Sequence, residues 1–169
     1  MAIRESGNGL KDLLQAFQFL KTQMVCVGIP EGSGDSHGKI TNVQLAYIHS
    51  QGSPRMHIPA RPFLEPGIED QKEAIAAEMR AAALAACEGD TGSAMAHLDA
   101  AGQAGENGAK DRFGTGAPNT PITVNGGWMR NPVSGKPVYV KGKGSAAPLI
   151  DTGSLRKSIT HVIREKGGD

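Results

Sequence analysis

One short stretch near the end of the sequence carries residue types that could do hydrolytic chemistry. It reads Leu-Ile-Asp-Thr-Gly-Ser, with Asp151 as its carboxylate, and the six-residue pattern occurs once. A carboxylate in such a loop can share a water molecule and a proton with a second carboxylate, and the pair can activate that water against a peptide bond. One pattern per chain means that a second copy of the chain would have to supply the second carboxylate.

A homodimeric aspartic-type peptidase that uses Asp151 is therefore one interpretation, and we keep it as the remote one. Six residues are a short match, and the chain is rich in Ala and in helical periodicity, whereas that peptidase class is nearly all β. Asp-Thr-Gly is also ordinary turn chemistry, because Asp accepts backbone N–H groups and Gly permits a tight turn. We interpret Asp151, Thr152 and Gly153 as a structural turn.

Other catalytic and metal-binding patterns are not found in the sequence. The five histidines do not form a ligand pattern, and neither Cys26 nor Cys87 lies at metal-site spacing from a histidine. A phosphate-binding loop, a His-Glu-x-x-His motif and a Gly-x-Ser-x-Gly motif are also missing. We predict no catalytic, cofactor-binding or metal-binding residues, two buried free thiols, and a structural or binding role rather than an enzyme.

Composition predicts a single domain spanning residues 1–169, with flexible ends at 1–7 and 165–169. The 18 basic and 17 acidic residues balance, and no basic stripe indicates sequence-specific binding of nucleic acid. The apolar runs are too short to span a membrane. Gly is about twice as common as usual, at 23 residues, so we expect long loops around a modest core.

The first third of the sequence predicts a helix over residues 9–22, capped by Ser6 or Asn8, then a buried strand over 24–29. The helix has one apolar face, made of Leu10, Leu13, Leu14, Phe17 and Leu20. Thr41 is the expected N-cap of a second helix that ends at Gln51. Three prolines within residues 57–68 predict a rigid extended arm with no helix, anchored to the core by Ile58, Phe63 and Leu64.

The rest of the sequence predicts two long helices, over residues 69–87 and 90–113, followed by an extended loop or hairpin region over 114–147. Gly102 and Gly105 on one stripe of the second helix indicate close approach by another element, and a break near Gly105 is the alternative. We expect strands at 121–124 and 137–140, turns at 126–128 and 131–136, a helical turn at 155–158 and a last strand at 158–164. The fold class is α+β: a small antiparallel sheet, completed by the last strand, packed against a few helices.

Three segments in this order resemble the tail-completion or neck proteins of long-tailed bacteriophages and prophages. The first, residues 40–53, is a short helix ending in His-Ser-Gln-Gly. The second, residues 58–64, reads Ile-Pro-Ala-Arg-Pro-Phe-Leu, and the third, residues 148–159, reads Pro-Leu-Ile-Asp-Thr-Gly-Ser-Leu-Arg-Lys-Ser-Ile. The resemblance covers residues 8–164, and the detail of 114–147 has no counterpart in it.

The resemblance implies a non-enzymatic virion protein that joins the head connector to the tail. It implies a ring of identical subunits, expected to be a hexamer, at the head–tail junction, with assembly in the host cytoplasm. Its partners would be head connector or adaptor proteins and a tail terminator or tail tube protein, with DNA passing through the ring lumen. A tail terminator, or another tail morphogenesis factor with the same fold, is the alternative.

The contact surface implied by this role is the arm together with the loop around Trp128. Our hypothesis assigns contacts between subunits or rings to Ile58, Pro59, Arg61, Pro62, Phe63 and Trp128. A rigid proline-rich arm loses little entropy when it docks. The planar fork of Arg61 suits a carboxylate on a neighbour, and the alternative is that Arg61 caps carbonyl groups of its own subunit. For Trp128 the alternative is packing under its own loop.

Overall fold

The fold is α+β, and a computed structural model describes residues 9–32, 40–116, 118–149 and 153–166. The helices of the described chain are α1 (Gly9–Thr22), α2 (Asn42–Gln51), α3 (Leu64–Asp70), α4 (Lys72–Cys87), α5 (Thr91–Asp111), α6 (Pro121–Asn125) and α7 (Ser154–Ser158). The strands are β1 (Gln23–Gly28), β2 (Gly127–Arg130), β3 (Pro137–Val140) and β4 (Thr160–Glu165). A 3-10 turn, Pro54–Met56, follows α2.

These strands form two separate two-stranded sheets, β1 with β4 and β2 with β3. The prediction of a single sheet completed by the last strand was therefore wrong, although the last strand was placed correctly. The chain groups into two compact units. One contains the described parts of 1–27, 71–105 and 161–169, and the other contains those of 28–70 and 106–160.

The first unit is held together by small side chains between α1 and α4. Ala16 of α1 is buried against Ala85 and Ala86 of α4 and Ala94 of α5, and Phe19 and Leu20 pack at the edge of this cluster. Gly102 of α5 is buried, and a Cβ there would lie 2.5 Å from Cδ2 of His161 in β4. The predicted close approach at Gly102 is confirmed, and α5 continues without a break at Gly105.

The large apolar residues of α1 point away from this cluster. Leu10, Leu13, Leu14 and Phe17 are exposed, and Leu10 and Phe17 are 74% and 61% accessible. The predicted apolar face is therefore exposed at these four residues, and only Leu20 of that face packs at the edge of the cluster. The close packing of α1 on α4 uses Ala16, and only a small side chain lets the two helix backbones approach at that point.

The second unit has its own core around two phenylalanines. Phe63, Ala109, Phe113, Leu155 and Ile159 are buried together. Gly67 of α3 lies so close to α5 that a Cβ there would be 2.5 Å from Cα of Ala109. This crossing brings the start of α3 and the end of α5 together, and Phe63 and Phe113 meet there.

Local signals explain where several helices begin. Thr41 caps α2 as predicted: its side chain accepts the N–H of Gln44, and the Gln44 side chain accepts the N–H of Thr41. Asp90 accepts the N–H of Ser93 at 2.9 Å at the start of α5. The hydrogen bonds from Ser93, first its hydroxyl and then its N–H, hold the pKa of Asp90 below its ordinary value.

Prolines gave rise to two wrong predictions. Pro66 was taken to exclude a helix, but it lies in the first turn of α3, where a missing N–H leaves no hydrogen bond unmade. Pro121 was taken to begin a strand, but it is the first residue of the short helix α6. The strand lies just after it, since Gly127–Arg130, predicted in part as a turn, is β2.

Candidate functional site

The arm is held by backbone hydrogen bonds at Ile58 and at Arg61. Ser53 and Ile58 exchange two of them, at 2.8 Å and 3.0 Å, so the chain turns back directly after α2. The N–H of Arg61 then donates to the carbonyl of His49 at 2.7 Å. The segment from Ile58 to Phe63 is therefore non-helical and tied to α2, as the prolines predicted, while the rest of the predicted arm is helix α3.

Gly52 explains why the first motif ends in glycine. Its φ is 71°, a left-handed conformation that favours glycine. A Cβ at this position would lie 2.6 Å from the backbone nitrogen of Ala60 and 2.8 Å from the carbonyl oxygen of Ile58. The end of α2 and the arm therefore pack closely at Gly52. This packing gives a physical reason why the first two motif segments occur together.

Arg61 holds a second segment of its own chain. Its guanidinium donates to Oδ1 of Asn119 at 3.0 Å and to the carbonyl of Pro118 at 3.4 Å. Asn119 in turn donates to the carbonyls of Ser145 and Ala147, at 3.3 Å and 2.9 Å. These contacts match the alternative given above, in which Arg61 caps groups within its own subunit.

The arm side chains divide between core and surface. Phe63 is 1% exposed and is part of the core, so its assignment to a contact surface was wrong, while its predicted anchoring role is confirmed. Ile58 is half-buried, and Pro59 and Pro62 are exposed. The exposed arm residues, Pro59, Ala60 and Pro62, are the ones accessible to a neighbour.

A cleft of about 480 Å³ opens beside the arm. Its described lining includes the cations Arg61 and Lys143, the histidines His49 and His57, and no Asp or Glu. Hydroxyl groups of Thr120, Thr123 and Ser154 also line it. The described lining favours an anionic or hydrogen-bond-accepting group.

The loop around Trp128 is a β-hairpin rather than a packed loop. Trp128 in β2 is directly opposite Tyr139 in β3, and their rings meet edge to face with centroids 5.6 Å apart. Trp128 is 72% exposed and Tyr139 59%. The alternative in which Trp128 packs under its own loop is excluded, and the exposed pair was missed because Tyr139 gave no signal without the register.

The turn formed by Asp151, Thr152 and Gly153 lies only partly in the described chain. Asp151 and Thr152 are outside the described residues, as are the expected caps Ser6 and Asn8. Gly153 has a φ of 77° and precedes α7, as expected for a turn glycine.

The tetrapeptide Asp-Thr-Gly-Ser also occurs at residues 90–93. There it begins α5, and both oxygens of the Asp90 carboxylate are hydrogen-bonded to Ser93. This copy acts as a helix cap, so at residues 90–93 the tetrapeptide serves ordinary backbone chemistry.

Metal and membrane features are limited in the described part of the chain. Its residues include no group of three His, Cys, Asp or Glu side chains placed to hold a metal ion. None of its helices has the length and apolar character needed to cross a membrane. Both cysteines are free, and the prediction of buried thiols was wrong for Cys87, which is exposed, while Cys26 is half-buried.

Comparison with known proteins adds no relative from which a role could be taken. No protein-family model matches the sequence, and neither a curated protein nor a solved structure is significantly similar to it.

Proposed function

We propose that this protein is a structural part of a bacteriophage or prophage virion, which joins the head connector to the tail as a ring of identical subunits. A hexamer is the expected ring. The protein would act at the head–tail junction after assembly in the host cytoplasm, between connector or adaptor proteins and a tail terminator or tail tube protein. DNA would pass through the lumen.

The observation that carries the proposal is a pair of distinct exposed apolar surfaces on one chain. The first is the α1 stripe, made of Leu10, Leu13, Leu14 and Phe17, and the second is the hairpin pair of Trp128 and Tyr139. Contiguous exposed apolar surface marks sites of association. A closed ring of identical subunits needs two different surfaces on each subunit, because each contact is head to tail.

The ordered motifs support the same proposal. Gly52, the arm and Arg61 are held together by backbone and side-chain hydrogen bonds and by close packing, so the motif residues form one well-defined feature. A rigid feature costs little entropy when it binds. The exposed Pro59 and Pro62 would lie against a neighbour in the ring or in the next ring.

A stop codon in the gene for this protein, in a phage or prophage that carries it, tests the role directly. Electron microscopy of the lysate should show full heads beside finished, unattached tails, and a plasmid copy of the gene should restore joined particles. Tails of uncontrolled length would move the protein to tail termination. Heads stalled with uncleaved precursors would bring the peptidase alternative forward, and normal particles would refute the proposal.

The same complementation assay tests the α1 stripe. Phe17→Ser removes an exposed apolar side chain, so the subunit should fold but should not restore joined particles. Gln18→Ser, at the next position and also exposed, is the matched control and should complement fully. Equal complementation by both variants would mean that the α1 stripe is not a contact surface in the joined particle.

A further inference from the structure

The charges of this chain are strongly segregated although they nearly cancel. Residues 112–150 contain five basic residues and no Asp or Glu, a net charge of +5. Residues 65–106 contain nine carboxylates and two basic residues, a net charge of −7. A chain with one basic and one acidic segment can attract another copy of itself head to tail.

The basic segment presents one well-defined face on its hairpin. Residues directly opposite in an antiparallel pair share a face, and so do residues two apart along a strand. Trp128, Arg130, Pro137 and Tyr139 therefore lie on the same face, and all four are exposed. Lys141 follows β3 and is exposed as well. We call Trp128, Arg130, Pro137 and Tyr139 the hairpin face.

A complementary feature lies in the first unit, between α1, the end of α4 and the start of α5. This acidic pocket has a volume of about 210 Å³. Ala16, Phe19 and Ala86 give it apolar walls, and Asp12 and Glu88 give it carboxylates, with no Lys or Arg in its described lining. It is a small apolar depression with negative charge, which suits one aromatic ring flanked by cations.

We propose that the hairpin face of one copy binds the acidic pocket of the next copy, with Trp128 in the depression and Arg130 and Lys141 near Glu88 and Asp12. Trp, Tyr and Arg are the residues that most often dominate binding energy at protein interfaces. The contact joins two different surfaces, so it is head to tail and can build a ring. It rests on the proposed function for its biological setting, but it concerns self-association alone.

Nucleic acid is the other class of partner that a basic aromatic face could bind. Single strands bind to such faces by stacking successive bases on exposed rings. The planes of Trp128 and Tyr139 are inclined by 68°, so the two rings do not form a common stacking platform. An edge-to-face pair with a neighbouring Arg fits a pocket in a protein better, and DNA binding becomes an outcome of the test.

Charge reversal in the full-length purified protein tests the contact by sedimentation velocity over a range of concentrations. The wild type should self-associate. Arg130→Glu and Glu88→Arg should each weaken association about tenfold or more, because each places like charges together. A chain with both substitutions, or a mixture of the two single variants, should regain association, because the charges are then exchanged rather than lost. Trp128→Ala should weaken association without any charge change.

The matched controls are Lys157→Glu and Glu165→Lys, which make the same charge changes at other exposed positions and should leave association unchanged. Circular dichroism of every variant should match that of the wild type, which separates lost binding from lost folding. A failure of the double substitution to restore association would refute the proposed pairing, as would equal effects of the controls.

Two further results would overturn the inference and leave the proposed function standing. The first is a wild-type protein that stays monomeric at every concentration but restores joined particles to the stop-codon phage. The second is Arg130→Glu abolishing binding to a DNA oligonucleotide while self-association is unchanged. Normal particles from the stop-codon phage would instead refute the proposed function, whatever the protein does in solution.

Discussion

Two aromatic pairs in this protein have similar geometry and opposite surroundings. The rings of Phe63 and Phe113 meet at 62° with centroids 4.9 Å apart, and those of Trp128 and Tyr139 meet at 68° with centroids 5.6 Å apart. Phe63 and Phe113 are 1% and 8% exposed, whereas the other two residues are mostly exposed. Both pairs have the same edge-to-face geometry, so the difference between their roles comes from their burial or exposure.

This difference separates folding from association. Burial removes the Phe63–Phe113 pair from water when the chain folds, and that transfer stabilises the fold. The Trp128–Tyr139 pair keeps most of its apolar surface in water, so that surface is still available for burial by a partner. The predictions below test this assignment by the effects of substitutions on the free energy of unfolding, measured by urea denaturation at a low protein concentration.

Phe63→Ala should have the largest effect. It removes a ring from the centre of the second core and leaves a cavity beside Phe113, Leu155 and Ile159, so a loss of about 3–5 kcal/mol is expected. Trp128→Ala is the matched control, since it removes a larger ring from the surface and should cost far less. Similar losses for the two variants would break the distinction between the pairs.

Gly67→Ala should have the next largest effect, because the buried pair depends on the close crossing of α3 and α5. The new methyl group would lie 2.5 Å from Cα of Ala109 and from the carbonyl oxygen of Gly108, and backbone cannot move aside as a side chain can. A loss of about 1–3 kcal/mol is expected.

Gly92→Ala is the control for that substitution. It also adds a methyl group to a helical glycine, but the nearest atom is Oδ1 of Asp90 at 3.5 Å. Ala also favours helix over Gly, so this variant should be as stable as the wild type or slightly more stable. Destabilisation by Gly92→Ala equal to that by Gly67→Ala would mean that helix crossing is not the cause.

The sequence predicts those parts of the fold that are encoded locally. Thr41 and Gln44 begin α2 through their own side chains, and α5 and β4 begin and end within two residues of their predicted bounds. Which face of an element is buried depends on residues far away in the chain. The apolar periodicity of α1 identifies a face that includes Leu10 and Phe17, but it does not show that the side chain in the core is that of Ala16.

The candidate site could be predicted only in part for the same reason. The arm motif identified Arg61 and Phe63 as important residues. It did not identify their contacts, because these are made with residues 113 and 118–119, about fifty positions later in the chain. Gly126 and Gly127 indicated a turn, and only the pairing with β3 shows that a strand begins at Gly127. The acidic pocket combines α1 with the start of α5, and no local pattern relates the two.

Arg61→Ala should have a moderate effect, because Arg61 joins the arm next to the buried pair with the segment that precedes the hairpin. It removes hydrogen bonds to Asn119 and Pro118, and about 1 kcal/mol of stability should be lost. Arg61→Lys keeps the charge but not the planar fork, so it should recover only part of the loss. Unchanged stability together with failed complementation of the stop-codon phage would instead assign Arg61 to a contact with a neighbour.

The smallest expected effect is the coupling between Trp128 and Tyr139, measured as a double-mutant cycle with Trp128→Ala and Tyr139→Ala. Cross-strand aromatic pairs are worth about 0.2–1 kcal/mol, and this pair is exposed, so the coupling in the free energy of unfolding should fall in that range. The same cycle measured on self-association should give a larger coupling, because there the two rings would be desolvated together. A coupling in unfolding as large as the loss from Phe63→Ala would mean that the Trp128–Tyr139 pair stabilises the hairpin as strongly as the Phe63–Phe113 pair stabilises the core. The distinction between the two pairs would then fail.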